Sequence, residues 1–314
     1  MRVERMNKDE IRKHLHSNHV SNFIIEHHNK IVFQYEQQEQ ASEQLLPINS
    51  CTKSIVSSLY CIGLSEGWLP SIHTPIVEWF PELKHSSDER KLRITAEHVL
   101  TLTAGFSWDE FGGSNNFPRM TRTDKWLKYT LDQPLTAEPG TSWSYNSGIS
   151  QLLSAIITRA SGRSLAELAE EKLFQPLGIE EYRWKQDPEG YYTGGYGMEL
   201  TAMDMLKFGR LFLQQGSWKD KQIIPAELCK QATSPYIQVE APEHGYYGWH
   251  WWCDEQDGLP FFYARGYGGQ FIIVVPSSEA VIVSTRNQKY KARSPLELFR
   301  ELVCPYLKRS LNNN

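Results

Sequence analysis

Ser50 and Lys53 stand three residues apart at the start of an apolar run that reaches Trp68. On a helix this spacing puts both side chains on one face, an amine beside a hydroxyl. The stretch from Leu45 to Asn49, with Pro47, reads as a loop, so Ser50 is expected at a helix N-terminus. Unpaired backbone N–H groups and the positive end of the helix dipole favour a developing oxyanion there. A serine hydroxyl becomes a good nucleophile only when a neighbouring base takes its proton. A lysine can be that base if burial or a nearby cation brings its pKa down from about 10.4 towards neutrality. The pair therefore predicts covalent hydrolysis without a Ser-His-Asp triad.

One such tetrad is expected by chance in a chain this long, as an N-cap serine followed by a surface lysine, so a second cluster carries weight. The stretch from Glu138 to Gly148 is dense in turn formers and hydroxyls and precedes a helical run, Ile149 to Ala160. Pro139-Gly140 marks a turn and Gly162 sits where a helix C-cap belongs. Tyr145 in that loop is a candidate partner for Lys53, able to take or give a proton.

Ser50-x-x-Lys53, Pro139-Gly140-Thr141 to Tyr145-x-Ser147-Gly148, and Gly266-Tyr267-Gly268-Gly269-Gln270 before a strand together resemble the serine β-lactamase-related hydrolases. That superfamily includes class C β-lactamases, DD-peptidases and family VIII esterases. The second and third motifs are most similar in form to the 6-aminohexanoate-dimer hydrolase branch. The stretches Leu92–Gly105, Leu200–Gly209 and Gly216–Pro225 fit the same pattern, so the resemblance runs from about residue 20 to 305. It implies an α+β fold of β-lactamase/transpeptidase type: an antiparallel sheet flanked by terminal helices, with a helical insertion. Residues 1–85 and 196–314 are expected to form the sheet domain and 86–195 a mainly helical one, the site lying in the crevice between them.

Length and composition agree with that expectation. A chain of 314 residues, 40% hydrophobic and 22% charged, is ordinary for a globular enzyme. A net charge of −4 leaves no basic footprint for nucleic acid. The polar start, Met1 to Val20, does not read as a signal peptide, and no apolar run is long enough to span a membrane. Five scattered cysteines without metal-ligand spacing fit reduced thiols, with Cys51 and Cys61 small buried residues on the nucleophile helix. The expected location is therefore the cytoplasm. No metal set is visible, and the glycines at 266–269 precede a strand rather than a helix, so no cofactor is called for. Aromatic clusters at Tyr191-Tyr192, Tyr246-Tyr247, Trp249, Trp251-Trp252 and Phe261–Tyr263 are read as packing more than as a substrate wall.

Along the chain the pattern gives a first helix (Asp9 to Ser17), a hairpin (Asn22 to Glu26 and Lys30 to Tyr35), and helices broken by Pro/Gly-rich loops in the middle. Strands are expected at Tyr247–Cys253, Leu259–Gly266, Gln270–Pro276 and Ala280–Ser284, then a helix from Pro295 to Leu307. In the mechanism these placements imply, Ser50 attacks an acyl carbon while Lys53 and Tyr145 share the base and acid roles, which of the two is the base staying open. The Ser50 amide is one oxyanion donor. The resemblance places the second on the third motif, at Tyr267 if Gly266 matches the motif's glycine, or at Gln270 if Gly269 does. The first register leaves Tyr267-Gly268-Gly269 as a hairpin turn.

Two departures from the penicillin-recognising pattern bear on substrate. Ser147 stands where the family usually has Asn, losing a two-handed amide. In the register that matches Gly266 to the motif's glycine, which is preferred here, Ala264 stands where the family has Lys or His, with Arg265 expected on the opposite face of the strand. Losing a charge-assisted bond to a carboxylate costs about 1.5–3 kcal/mol. The expectation is a serine hydrolase for a small ester, amide or peptide-like substrate. A β-lactamase or DD-peptidase, and a non-catalytic binding protein on the same fold, are the alternatives. Ser147, Ala264, Gly266, Tyr267, Gly268 and Gln270 are the expected substrate-side residues; His98, His244 and His250 could supply an auxiliary cation but read more readily as structural, and Asp109 and Glu110 are amine partners or a solvated loop. Oligomeric state is left open.

Overall fold

A computed structural model describes residues 6–240, 243–286 and 292–312. Its largest element is an eight-stranded sheet of antiparallel neighbours. In chain order the strands are β1 (Val20–His27), β2 (Lys30–Glu36), β3 (Ile237–Val239), β4 (Gly245–Tyr247), β5 (Trp252–Gln256), β6 (Leu259–Gly266), β7 (Gln270–Val275) and β8 (Ala280–Arg286). Across the sheet they lie in the order β2-β1-β8-β7-β6-β5-β4-β3, so the first and last strands of the chain pair with each other, second and third from one edge. The β1–β2 turn uses His28 and Asn29 at φ 51° and 58°, the left-handed pair a tight hairpin requires. Central strands β7 and β8 are apolar and buried along nearly their whole length, because helices cover both faces.

Helix α1 (Lys8–Ser17) and a C-terminal helical run (Pro295–Leu298, a π-helical turn Phe299–Val303, then Cys304–Asn312) pack on one side. Phe299 meets Phe261 of β6 with ring centroids 5.0 Å apart. Opposite them lies α4 (Ala202–Leu213), where a Cβ on Gly209 would come within 2.5 Å of Val281, so only glycine lets this helix sit so low on the sheet. Helix α2 (Thr52–Glu66) is buried without a break from Thr52 to Gly63, its polar Thr52, Lys53, Ser54, Ser57 and Ser58 included, so it runs through the core. Gly67 ends it at φ 81°. Helix α3 (Ser147–Ser161) packs against α2, begins with the Asn146 side chain accepting from the Ile149 N–H at 2.9 Å, and ends at Gly162.

Two local expectations are corrected, and one strand was not anticipated. Leu46–Pro47 is a short strand paired with Met198–Leu200, not loop. The expected strand Tyr247–Cys253 is broken into β4 and β5 by Gly248–Trp251, where His250 adopts φ 58°. The break aims the Trp249 and His250 carbonyls at α2, where the Ser57 and Ser54 hydroxyls donate to them at 2.7 Å each. Strand β3 carries no alternation long enough to announce it.

Candidate active site

Ser50 lies in a single 3-10 turn, Asn49–Cys51, that runs straight into α2, so it sits inside the helical path rather than at a cap. Lys53 follows one turn later and is 2% exposed. Its Nζ donates to Gly195 O at 2.9 Å and to Ser147 Oγ at 3.0 Å, and lies 3.3 Å from Ser50 Oγ. The three contacts come from three parts of the chain.

Ser147 is the first residue of α3, and Asn146 before it is extended (φ −144°, ψ 105°), which holds Tyr145 just outside the helix. The Tyr145 ring lies 4.7 Å from Lys53 Nζ, a contact worth about 0.5–2 kcal/mol to an ammonium. Behind Tyr145 an aromatic stack fixes its plane. Trp252 stacks on it at 6.2 Å, and Tyr263 stacks on Trp252 in turn at 6.1 Å. The aromatic clusters behind Tyr145 are thus packing, whereas Trp108, Phe111, Phe117 and Tyr196 face the cleft. Gly148 allows α3 to close on Trp108, since a Cβ there would meet Thr130 Oγ1 at 2.4 Å and the indole at 2.7 Å.

Gly195 has no place among the sequence expectations. Adjacent Gly194 packs against α3 so closely that a Cβ would fall 1.9 Å from Ser150 O, which is how the Gly195 carbonyl reaches Lys53. The only local signal is the doubled glycine in Thr193-Gly194-Gly195-Tyr196.

The β6–β7 hairpin borders the site. Gly266 pairs with Gln270, and Gly268 and Gly269 turn at φ 87° and 102°. A Cβ on Gly266 would stand 2.3 Å from Ile48 O, and the Asn49 amide donates to Tyr267 O at 2.7 Å. The hairpin is therefore bolted to the segment that carries Ser50. Ala264 does not face the cleft. It is buried opposite Ile272, while Arg265, next to it on the strand, and Tyr267, the first residue of the turn, line the site. The Arg265 guanidinium is bound to Glu243 at 2.9 Å. Gln270 also turns away, its amide bonding the Arg286 backbone at 2.8 and 3.2 Å. Gly268 gives its carbonyl to Arg286 Nε at 2.6 Å.

The loop after Gly105 closes the other side. The Trp108 indole N–H donates to Glu110 Oε2 at 2.6 Å, the Ser147 N–H donates to the same oxygen at 3.0 Å, and the Ser147 hydroxyl donates to Oε1. Asp109 is used within its own loop, accepting from the Ser114 N–H at 2.8 Å. The cleft measures about 1100 Å³ and has Ser50 in its wall, with Trp108, Phe111, Phe117 and Tyr196 as an aromatic side. Its charged lining is Asp109, Glu110, Glu240 and Arg265, one cation against three carboxylates.

Among the described residues no histidine lines the cleft, in line with the structural reading. His250 is fully buried, and burial first, then the Lys53 charge, pushes its pKa down to about 3. His98 is lowered by burial and by His73, and its Nδ1 accepts from the Thr95 N–H as part of a helix cap. All five cysteines are free and buried, and burial raises the Cys51 thiol further out of reach.

Comparison with known proteins gives the class. The β-lactamase family model matches residues 21–303. The chain belongs to the β-lactamase family of serine hydrolases. Among relatives it is similar to esterase EstB of Burkholderia gladioli, 28% identical over 44% of this chain, a match spanning only 38% of EstB. Its fold resembles a proposed 6-aminohexanoate-dimer hydrolase from Bacillus anthracis (TM-score 0.81, 20% identity, 94% of this chain and 81% of that one). It also resembles an octameric penicillin-binding protein homologue from Pyrococcus abyssi (TM-score 0.78, 18% identity, 96% and 78%). Among the described residues no helix is long and apolar enough to cross a membrane.

Proposed function

We propose that this protein hydrolyses a small ester or amide through an acyl-enzyme on Ser50. The observation that carries the reading is Lys53 Nζ, 2% exposed and 3.3 Å from Ser50 Oγ, with Tyr145 across it. Lys53 accepts the hydroxyl proton as the Ser50 oxygen bonds the acyl carbon. The Ser50 and Tyr267 amides hold the oxyanion. Tyr145, in contact with Lys53, relays a proton to the leaving group, and the same pair then activates water to release the acid.

Two features favour neutral esters and amides over β-lactams and D-Ala peptides. Arg265, the cleft's cation, is already neutralised by Glu243. Ser147 is occupied on both sides by Lys53 and Glu110 and has no second hand for a substrate amide. EstB and the 6-aminohexanoate-dimer hydrolase are named for ester and amide cleavage, in line with this choice. The working compartment proposed is the cytoplasm, and the two-part organisation proposed is 1–85 with 196–314 around a helical 86–195.

The test is intact-protein mass spectrometry after brief exposure to p-nitrophenyl butyrate, a fluorophosphonate and a penicillin. An adduct on wild type that Ser50→Ala lacks, with ester turnover and slow penicillin acylation, supports the reading. Rapid penicillin acylation moves the substrate to β-lactams, and no adduct with any probe leaves a binding protein.

A further inference from the structure

Beside the Tyr145 ring, Lys53 Nζ has three hydrogen-bonding partners, and they are not equivalent. Gly195 O at 2.9 Å can only accept. Ser147 Oγ at 3.0 Å could in principle donate or accept, and so could Ser50 Oγ at 3.3 Å. Glu110 removes the ambiguity at Ser147. One carboxylate oxygen is taken by the Trp108 indole N–H at 2.6 Å and the Ser147 N–H at 3.0 Å. The other receives the Ser147 hydroxyl proton. An ionised carboxylate only accepts, so that proton is committed to Glu110 and the Ser147 oxygen offers Lys53 nothing but lone pairs.

A neutral lysine carries two N–H bonds and one lone pair. Gly195 O and Ser147 Oγ each require an N–H, so the lone pair is left for Ser50. We propose that Glu110 is a positioning residue of the reaction: acting through Ser147, it aims the Lys53 lone pair at the Ser50 hydroxyl. This rests on the Ser50 acyl-enzyme reading. In the step concerned, the Ser50 proton moves to the lysine lone pair and the Ser50 oxygen bonds the acyl carbon. The carbonyl electron pair moves to the oxyanion.

Glu110→Gln tests the hydroxyl's direction at nearly constant shape. The amide oxygen must face the two N–H donors, which puts the NH₂ against Ser147 Oγ as a donor. The Ser147 proton then turns towards Lys53 and competes for its lone pair. With p-nitrophenyl butyrate, Glu110→Gln is expected to lower the acylation rate and kcat about tenfold to a hundredfold, with KM within about threefold. The double-mutant cycle is the sharper reading. In a Ser147→Ala background Glu110→Gln should do nothing more, because its effect passes through Ser147. Trp108→Phe, which frees one carboxylate oxygen, should give a smaller kcat loss that also vanishes with Ser147→Ala. It serves as the test if Glu110→Gln does not fold. Unchanged kcat, a loss confined to KM, or an equal loss in the Ser147→Ala background each overturns the proposal. If wild type forms no Ser50 adduct, the acyl-enzyme reading itself has failed and this inference falls with it. A wild type that acylates normally beside an unaffected Glu110→Gln sinks the inference alone.

Discussion

Removing the Glu243 carboxylate should free the cleft's one described cation, Arg265, to hold a substrate anion. Arg265 is 27% exposed and Glu243 17% exposed at their side chains, so the pair at 2.9 Å is only partly screened. An incoming substrate carboxylate now meets a guanidinium whose charge is already matched. In Glu243→Gln the amide keeps the size and one hydrogen bond but releases the charge. A charge-assisted bond from Arg265 to the substrate is then worth about 1.5–3 kcal/mol, roughly ten- to a hundredfold in kcat/KM. The assay compares p-nitrophenyl hemisuccinate, which ends in a carboxylate, with neutral p-nitrophenyl butyrate on wild type and variant. The hemisuccinate-to-butyrate ratio should rise by that factor, the butyrate rate should stay within about twofold, and the gain should shrink in about 1 M salt. Penicillin acylation should rise in parallel. An unchanged ratio would refute the argument that Glu243 sets the charge preference, since no other described cation lines the cleft.

Gly266→Ala places a methyl where Ile48 O lies 2.3 Å away, so the hairpin must retreat from the Ser50 segment. Overpacking of that kind costs about 1–3 kcal/mol of stability, while an ångström of displacement at the reacting centre lowers kcat about a hundredfold. Denaturant midpoints and ester turnover measured together check it, and full activity would show that the hairpin does not set the site. His250 has its folded pKa lowered from 6.5 to about 3, so its stability contribution is complete above pH 6.5. It is lost as pH falls from there towards 3, because the unfolded chain takes up a proton that the folded one refuses. The slope is about 1.4 kcal/mol per pH unit, so about 2–3 kcal/mol is lost between pH 6.5 and 4.5. His250→Asn, which tolerates the left-handed backbone, should remove that component. Urea unfolding at pH 7 and pH 4.5 measures it, and an equal pH effect in both proteins would contradict it.

What could be read in the sequence was what spacing determines. Ser50 and Lys53 are joined by one helical turn, and the hydroxyl-rich turn before α3 brought Tyr145 and Ser147 with it. The hairpin at Gly266 to Gln270 was legible because two glycines must turn it. Contacts supplied by tertiary structure were not legible, and Glu110 was marked only as an amine partner or part of a solvated loop. Gly195 reaches Lys53 across 142 positions and Glu110 reaches Ser147 across 37, with only a doubled glycine and a loop acid as signals. Ala264 was given the wrong face because strand side chains alternate, and a one-residue offset in an assumed motif exchanges cleft for core. The strand break at His250 escaped for a different reason. Apolar residues continue through it, and the cause is two serines on α2 that claim its carbonyls.

The same contacts separate chemistry from choice of substrate. Ser50, Lys53 and Ser147 belong to the opening turns of two buried helices that pack on each other, and Gly195 O is fixed by the close approach at Gly194. The wall opposite is built from other parts: the loop of Trp108 to Phe117, the strand Ile237–Val239 with Glu240, and the Arg265–Glu243 pair. Substitutions in that wall can change size, charge and aromatic character without disturbing the 3.3 Å Lys53–Ser50 contact. Glu110 is the exception, for it lines the wall and also grips Ser147. A change at Glu110 should therefore alter turnover of every substrate, whereas changes at Phe111, Phe117 or Glu243 should alter the ranking among substrates. On this fold the identity of the substrate is written in the loops, and the Ser50–Lys53 pair is indifferent to it.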